Sequence, residues 1–255
     1  MKRFFVILAA VFLLLPACSN RDEIRTEQLY LEEDIPYSEG SAFHLALKYD
    51  VEFPTAGFPK EVLEKVRRNI RIACFGEAYA DFTAPVEELA QAYRNVALQD
   101  YRTSNEELLK EMGITEAEAA NLNWGFDVLG EFHAPYGDAL NYWMEHYDYM
   151  GGAHGMYSMT PIVMDRTSGD VLSYEAFTEG VGRDRLMALI DKHKFDGFDD
   201  DPDIEKDQIF YVEQIEPSKT FTVGPEGLTF IYQPYDVAPY VFGVITITIP
   251  WEDLQ

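Results

Sequence analysis

The chain has only two cysteines and five histidines in 255 residues. So few thiols exclude a disulfide scaffold, and no Cys/His spacing resembles a zinc site. No glycine-rich phosphate loop is present, which disfavours a doubly wound nucleotide-binding fold. The signatures G-x-S-x-G, H-E-x-x-H and Cys–His–Asn are missing, so no familiar hydrolase machinery is legible. Basic residues are scarce, 20 against 45 acidic ones, for a formal net charge of −25. Such a surface repels nucleic acid and anionic headgroups and attracts a cationic protein, a cationic peptide or divalent ions. Neither a nucleic-acid partner nor a cofactor is implied. No internal repeat is visible.

What is present begins with an address. Lys2 and Arg3 precede the apolar run FFVILAAVFLLL (4–15). That run is short for a membrane-spanning helix and has the form of a signal segment. LPAC (15–18) closes it and resembles the lipobox of bacterial lipoproteins, with Pro16 in place of the commoner residues. The resemblance implies cleavage before Cys18, acylation of that cysteine with palmitate-type chains, and a cell-envelope location, the outer membrane favoured over the inner. Removal of residues 1–17 takes away two cations and no acid, leaving the mature chain more acidic still. Cys74 is then alone, and its apolar context RIACFGEAY reads as a buried structural thiol.

Residues 18–40 are polar and acidic and read as a tether. Residues 41–54 alternate, with Phe43, Leu45, Leu47, Tyr49 and Val51 on one face, as in a half-buried strand. Helical spacing follows over 59–75, 84–101 and 105–113, with Pro59 and Pro85 near helix starts and Thr115 as a cap for a short helix. Three aromatic, alternating segments, 124–137, 138–150 and 155–169, read as an antiparallel meander. Helical segments at 172–177 and 182–195, an acidic loop at 196–207, and strands at 220–223, 227–232 and 244–251 complete the chain. Strands and helices come in blocks. The expected class is α+β: an antiparallel sheet, made of the meander plus the C-terminal strands, covered by helices on one face.

Two blocks carry a family resemblance: YDYMGGAHG (147–155) and EGLTFIYQPYDVAPYVFGVITITIPWEDL (226–254). Their marks are Gly151, Gly152, Ala153 and His154, and the bend Tyr235, Ala238, Pro239, Tyr240. Together they resemble the extracellular domain of RsiV-type anti-sigma factors, a domain of unknown function whose N-terminal half also accompanies PdaC-type peptidoglycan deacetylases. The resemblance implies a PdaC-like part at 41–145 and an RsiV-like part at 146–255, packed as one unit. It implies an α+β fold, no catalysis by the domain itself, and binding of lysozyme as the sensor does. The chain shows no cytoplasmic anti-sigma segment, so the signalling step is not carried over.

The glycines Gly151 and Gly152 permit a bulge or tight turn. His154 after them could support that turn, or hydrogen-bond a ligand together with Tyr235 and Tyr240. His133, His146 and His154 are expected on the meander strands, where two could meet. Tyr142, Trp143, Tyr147, Tyr235 and Tyr240 could form an aromatic groove for a sugar ring or a peptide. Asp199, Asp201 and Asp203 make a calcium loop conceivable, although the EF-hand order is missing. No catalytic residue is assigned. The expected function is that of a lipid-anchored envelope protein recognising a lysozyme-like or cell-wall ligand. The alternatives are a glycan- or peptidoglycan-acting hydrolase using His154, and a non-catalytic structural component.

Overall fold

A computed structural model of the protein describes residues 23–198 and 209–255. The fold is α+β and mostly antiparallel. Strand β1 (Arg25–Pro36) pairs antiparallel with β2 (His44–Ala56). Two helices follow, α1 (Lys60–Phe75) and α2 (Val86–Met112). They return the chain so that β3 (Trp124–Phe132) lies parallel to β2, the one parallel pair among the described strands. Strand β4 (Ala139–Tyr149) pairs antiparallel with β3. Strands β5 (Met156–Met159) and β6 (Ile162–Asp165) both pair with β4 in one continuous register. They are the third meander strand, interrupted at Pro161, which has no N–H to give to the ladder.

Residues 18–40 are not all tether. Arg25–Pro36 form an edge strand of twelve residues. Leu29 and Leu31 are buried while Tyr30 between them and Glu32 and Asp34 after them are exposed. The apolar alternation is real, but the charge density hides it.

The C-terminal strands do not extend the meander. After helix α3 (Arg183–His193), strands β7 (Phe221–Gly224), β8 (Gly227–Tyr232) and β9 (Ile245–Pro250) make a separate three-stranded antiparallel sheet. At Gly227 a side chain would overlap the Ile249 carbonyl, with Cβ 2.1 Å from its oxygen, so only glycine lets β8 run this close to β9.

Each sheet has its own core. The inner face of the larger sheet (Leu45, Leu47, Tyr49, Val51, Phe53) packs on Val66, Ile70 and Cys74 of α1 and on Leu89 and Tyr101 of α2. Full burial of such side chains stabilises by about 1.5–3 kcal/mol each. The smaller core gathers Leu186 and Ile190 of α3 with Phe221, Phe230, Ile247 and Ile249. The two cores meet at β4 and β6, where Leu140 and Met164 face the first and Ala139 and Val163 the second. The division expected after residue 145 therefore falls inside β4. The smaller unit packs on the outer side of β4 and β6.

Two side-chain amides join the sheets. Buried Asn141 donates through Nδ2 to the Val223 carbonyl (2.8 Å) and accepts from the Val223 N–H (3.1 Å). Gln233 donates through Nε2 to the Met159 carbonyl (2.6 Å) and accepts from the Met159 N–H (2.8 Å). Each amide pairs with both groups of one residue, as a neighbouring strand would. No helix among the described residues is long and apolar enough to cross a membrane.

Candidate functional site

The stretch 147–155 begins as the end of β4 and turns back into β5. Gly151 and Gly152 carry φ of 92° and 91°, a left-handed region that suits glycine. Tyr149 braces the turn by donating its hydroxyl to the Gly152 carbonyl (3.1 Å). Gly155 is buried beneath Tyr147. A Cβ there would sit 2.4 Å from that ring, so the close approach requires glycine.

His154 lies in this hairpin loop, not on a strand, and it is exposed. Its Nδ1 is 3.0 Å from the Gly155 carbonyl, which can only accept, so Nδ1 carries a proton. The imidazole stacks on Tyr240 with centroids 4.5 Å apart and planes 25° from parallel. Tyr240 donates its hydroxyl to the same Gly155 carbonyl (3.0 Å). Tyr235 lies 5.5 Å beyond Tyr240, centroid to centroid. The three rings form one row on the surface, and Tyr235 is half-exposed.

Tyr235 is the one non-glycine residue with positive φ among the described residues, at 74°. That conformation costs on the order of 1–3 kcal/mol and persists only where its surroundings impose it. Here its N–H donates to the Ala238 carbonyl (3.2 Å), and the Tyr211 hydroxyl donates to its own carbonyl. Strained residues of this kind cluster at ligand clamps and active sites.

Tyr147, packed over Gly155, lies on the open outer face of the larger sheet. There a groove of about 360 Å3 is lined by Lys48, Asp50, Asp127, Glu145, Tyr147 and Tyr157. Burial raises the Asp127 carboxyl above its usual range, and Lys48 opposes that only in part. Burial and a hydrogen bond from its own hydroxyl to Glu145 raise Tyr157. Rings beside carboxylates can hold a cationic side chain or a sugar face.

The other expected neighbours separate. His133 follows β3 and stacks on Trp143 at 4.8 Å. His146 points to the inner face, with Nε2 3.3 Å from the Cys74 carbonyl. The three histidines of the meander thus have three different surroundings. Tyr142 is fully buried in the first core and donates to the Glu52 carbonyl (2.9 Å), so it takes no part in a groove. Cys74 is sealed, and burial pushes its thiol up to about 12, which leaves it protonated and unreactive at neutral pH. Among the described residues no group of three His, Cys, Asp or Glu side chains has the arrangement of a metal site. Cys18, Asp199, Asp201 and Asp203 lie outside the described residues. Tyr211, Gly155 and Gln233 belong to the site region and escaped the sequence reading. Of these only Gly155 carried a local signal, as the glycine that closes GGAHG.

Comparison with known proteins places this geometry in context. Residues 177–252, less than a third of the chain, match a family model described as protein of unknown function (DUF3298). The match takes in Tyr235 and Tyr240 and leaves His154 outside. A solved DUF3298-family structure from Bacteroides fragilis superposes with a TM-score of 0.80 at 22% identity, covering 92% of this chain and 93% of the other. A DUF3298-family protein from Pseudomonas aeruginosa superposes with a TM-score of 0.60 at 16% identity, covering 92% and 94%. At these identities the likeness is one of fold. No curated protein matches the chain.

Proposed function

We propose that the chain is a lipid-anchored cell-envelope binding protein, acylated at Cys18, whose exposed ring row recognises a cationic protein of the lysozyme type or a cell-wall fragment. The row His154–Tyr240–Tyr235 carries this reading: three rings held outward by one shared carbonyl and one strained backbone. The surplus of carboxylates steers a basic partner towards it. The resemblance to RsiV-type sensors supplies the class of partner. The PdaC-like character of residues 41–145 belongs to the same proposal.

The topology supports an outward-facing site. Strand β1 starts seven positions after Cys18, a length that reaches at most about 25 Å. From there β1 runs roughly 40 Å to the opposite end of the sheet. Through β2, β3 and β4 that far end is shared by Trp124, Tyr149 and the 150–155 loop. An anchor at one end would therefore present the rings at the other.

The hydrolase alternative needs a carboxylate beside His154. Its partners are a carbonyl and a tyrosine ring, and no carboxylate joins them among the described residues. Calorimetric titration with lysozyme tests the binding reading. Binding at low salt that weakens at least tenfold in Tyr240→Ala and in Gly155→Ala supports it. No heat of binding at low salt removes it. Mass spectrometry of the mature protein tests the anchor, with an acylated N-terminal Cys18 as the expected result.

A further inference from the structure

At the end of the sheet where β1 begins, the acidic chain gathers arginines around a second cavity. Its volume is about 320 Å3, and it lies between Thr55 at the end of β2, Leu63, Glu64, Arg67 and Arg71 of α1, and the segment 82–84 before α2. Arg71 is only 8% exposed. Its Nε donates to the Ala80 carbonyl (3.0 Å), and no carboxylate reaches it among the described residues. Among the described residues the sealed side-chain polar atoms without a partner are the Tyr49 and Tyr101 hydroxyls alone, so the terminal nitrogens of Arg71, a lining residue, open on the cavity. One helical turn earlier, Arg67 is held by Glu27 (2.8 Å) and by the Pro54 carbonyl (2.7 Å).

A largely buried guanidinium with no carboxylate at ion-pair distance is costly. Burial, and then the neighbouring Arg67, lower the Arg71 pKa, and the carboxylates of Glu64 and Asp81 offset that only in part. The nearby carboxylates of Glu77 and Asp81 pair with Arg68 instead. Glu64 lines the cavity without coming within ion-pair distance of Arg71. Thr83 adds a hydroxyl-bearing side chain at the wall, while the Thr55 hydroxyl is already given to the Arg25 carbonyl. Two guanidinium groups beside a free hydroxyl suit a tetrahedral oxyanion, which offers more acceptors than a planar carboxylate.

We propose that the Arg67–Arg71 cavity binds a phosphate group. This site is separate from the ring row and stands without it. Its position gives the phosphate two natural sources. Thr55 donates to the Arg25 carbonyl (3.1 Å), so the cavity borders the start of β1, the end nearest Cys18. With the chain anchored there, phosphodiester headgroups of the membrane lie within reach; a free phosphate would enter from solvent.

Calorimetry of the full chain with inorganic phosphate, with glycerophosphoglycerol and with acetate tests this. One phosphate-bearing ligand per chain is expected, bound at least tenfold more weakly by Arg71→Gln and severalfold more weakly by Arg67→Gln. Acetate is expected to bind at least tenfold more weakly than phosphate. Preference for the diester assigns the site to a lipid headgroup, and preference for inorganic phosphate to a free ion. If Arg71→Gln does not fold, Arg67→Gln at the rim carries the test. No binding of either phosphate at millimolar concentration overturns the proposal. So does binding that both variants leave unchanged, or acetate binding as tight as phosphate. Tyr240→Ala is expected to keep phosphate binding intact, which separates this result from the lysozyme titration.

Discussion

The two sheets are stabilised in different ways. The larger sheet buries one face under two helices, with a T-shaped aromatic cluster of Tyr49, Phe75, Tyr79 and Tyr93 at the contact. The smaller sheet has three short strands and one helix, and it is attached to the larger by Asn141 and Gln233. Three short strands with one helix stand at the lower limit for independent stability. The difference teaches that the smaller unit, which carries Tyr235 and Tyr240, depends on its dock. The docking contacts and the binding surface are therefore coupled.

The comparison breaks most sharply in the cores. Phe53→Ala in the first core and Phe230→Ala in the second are each expected to destabilise by about 3–5 kcal/mol. Both residues are fully buried. If the smaller sheet depends on its dock, calorimetric melting of either variant shows one transition. Two separated transitions in the Phe230→Ala protein would show that the units unfold independently.

Next comes the dock. Asn141→Ala strands the Val223 N–H and carbonyl and the Ala134 carbonyl, which now accepts from Asn141 Nδ2 (3.0 Å). Leaving buried backbone groups unpaired is expected to cost about 2–3 kcal/mol in chemical denaturation. Hydrogen exchange is expected to rise in β7–β9 before β1–β3. A uniform rise across both sheets would argue against a separate dock.

The helix-covered face contains a fault that sharpens the contrast from the other side. The Tyr49 hydroxyl is sealed in the first core without a partner. Tyr49→Phe removes that unpaired group and is expected to raise stability by about 1 kcal/mol. A loss in thermal melting would mean that the hydroxyl has a partner after all.

The smallest effect concerns the C-terminal turn of the smaller unit. His193 at the end of α3 meets Asp196 and Asp253 at 2.7 Å on either ring nitrogen. Burial alone would lower its pKa; hydrogen bonds to Asp196 and then to Asp253 outweigh that and raise it. A raised histidine contributes stability that is complete below its unfolded pKa and is lost as pH rises through the folded value. Asp253 is held low, chiefly by Lys192 and then by His193, so its share is lost in the opposite direction, as pH falls through its lowered pKa. Denaturation between slightly acid and slightly alkaline pH is expected to show a decline under about 1 kcal/mol, absent in His193→Gln. An equal decline in that variant would assign it elsewhere.

Much of the fold was legible. The helices, the Thr115 cap and the meander follow from apolar periodicity, because burial on one face imposes period 3.6 or 2 on a local stretch. Strand β1 was missed because four acids, Glu27, Glu32, Glu33 and Asp34, surround its alternation, and charge of that density also marks a tether. The separate sheet was missed because strand partners are set at long range and leave no local trace. At the site, the bend at Tyr235 and the turn at Gly151–Gly152 were readable as special backbone. The pairing of His154 with Tyr240, the burial of Tyr142 and the scatter of the histidines were not.

Composition and pattern alone determined the α+β class, the places of the helices and of most strands, the acidic balance and the signal-like start. Each of these is a property of a short window or of a sum over residues. The tertiary structure alone decided which rings form a row, which amides join the sheets and which arginines share a cavity. Those meetings depend on register and on how distant segments close upon one another. Residues such as His154 and Tyr240, or Thr55 and Arg71, become neighbours only when the whole core is buried at once.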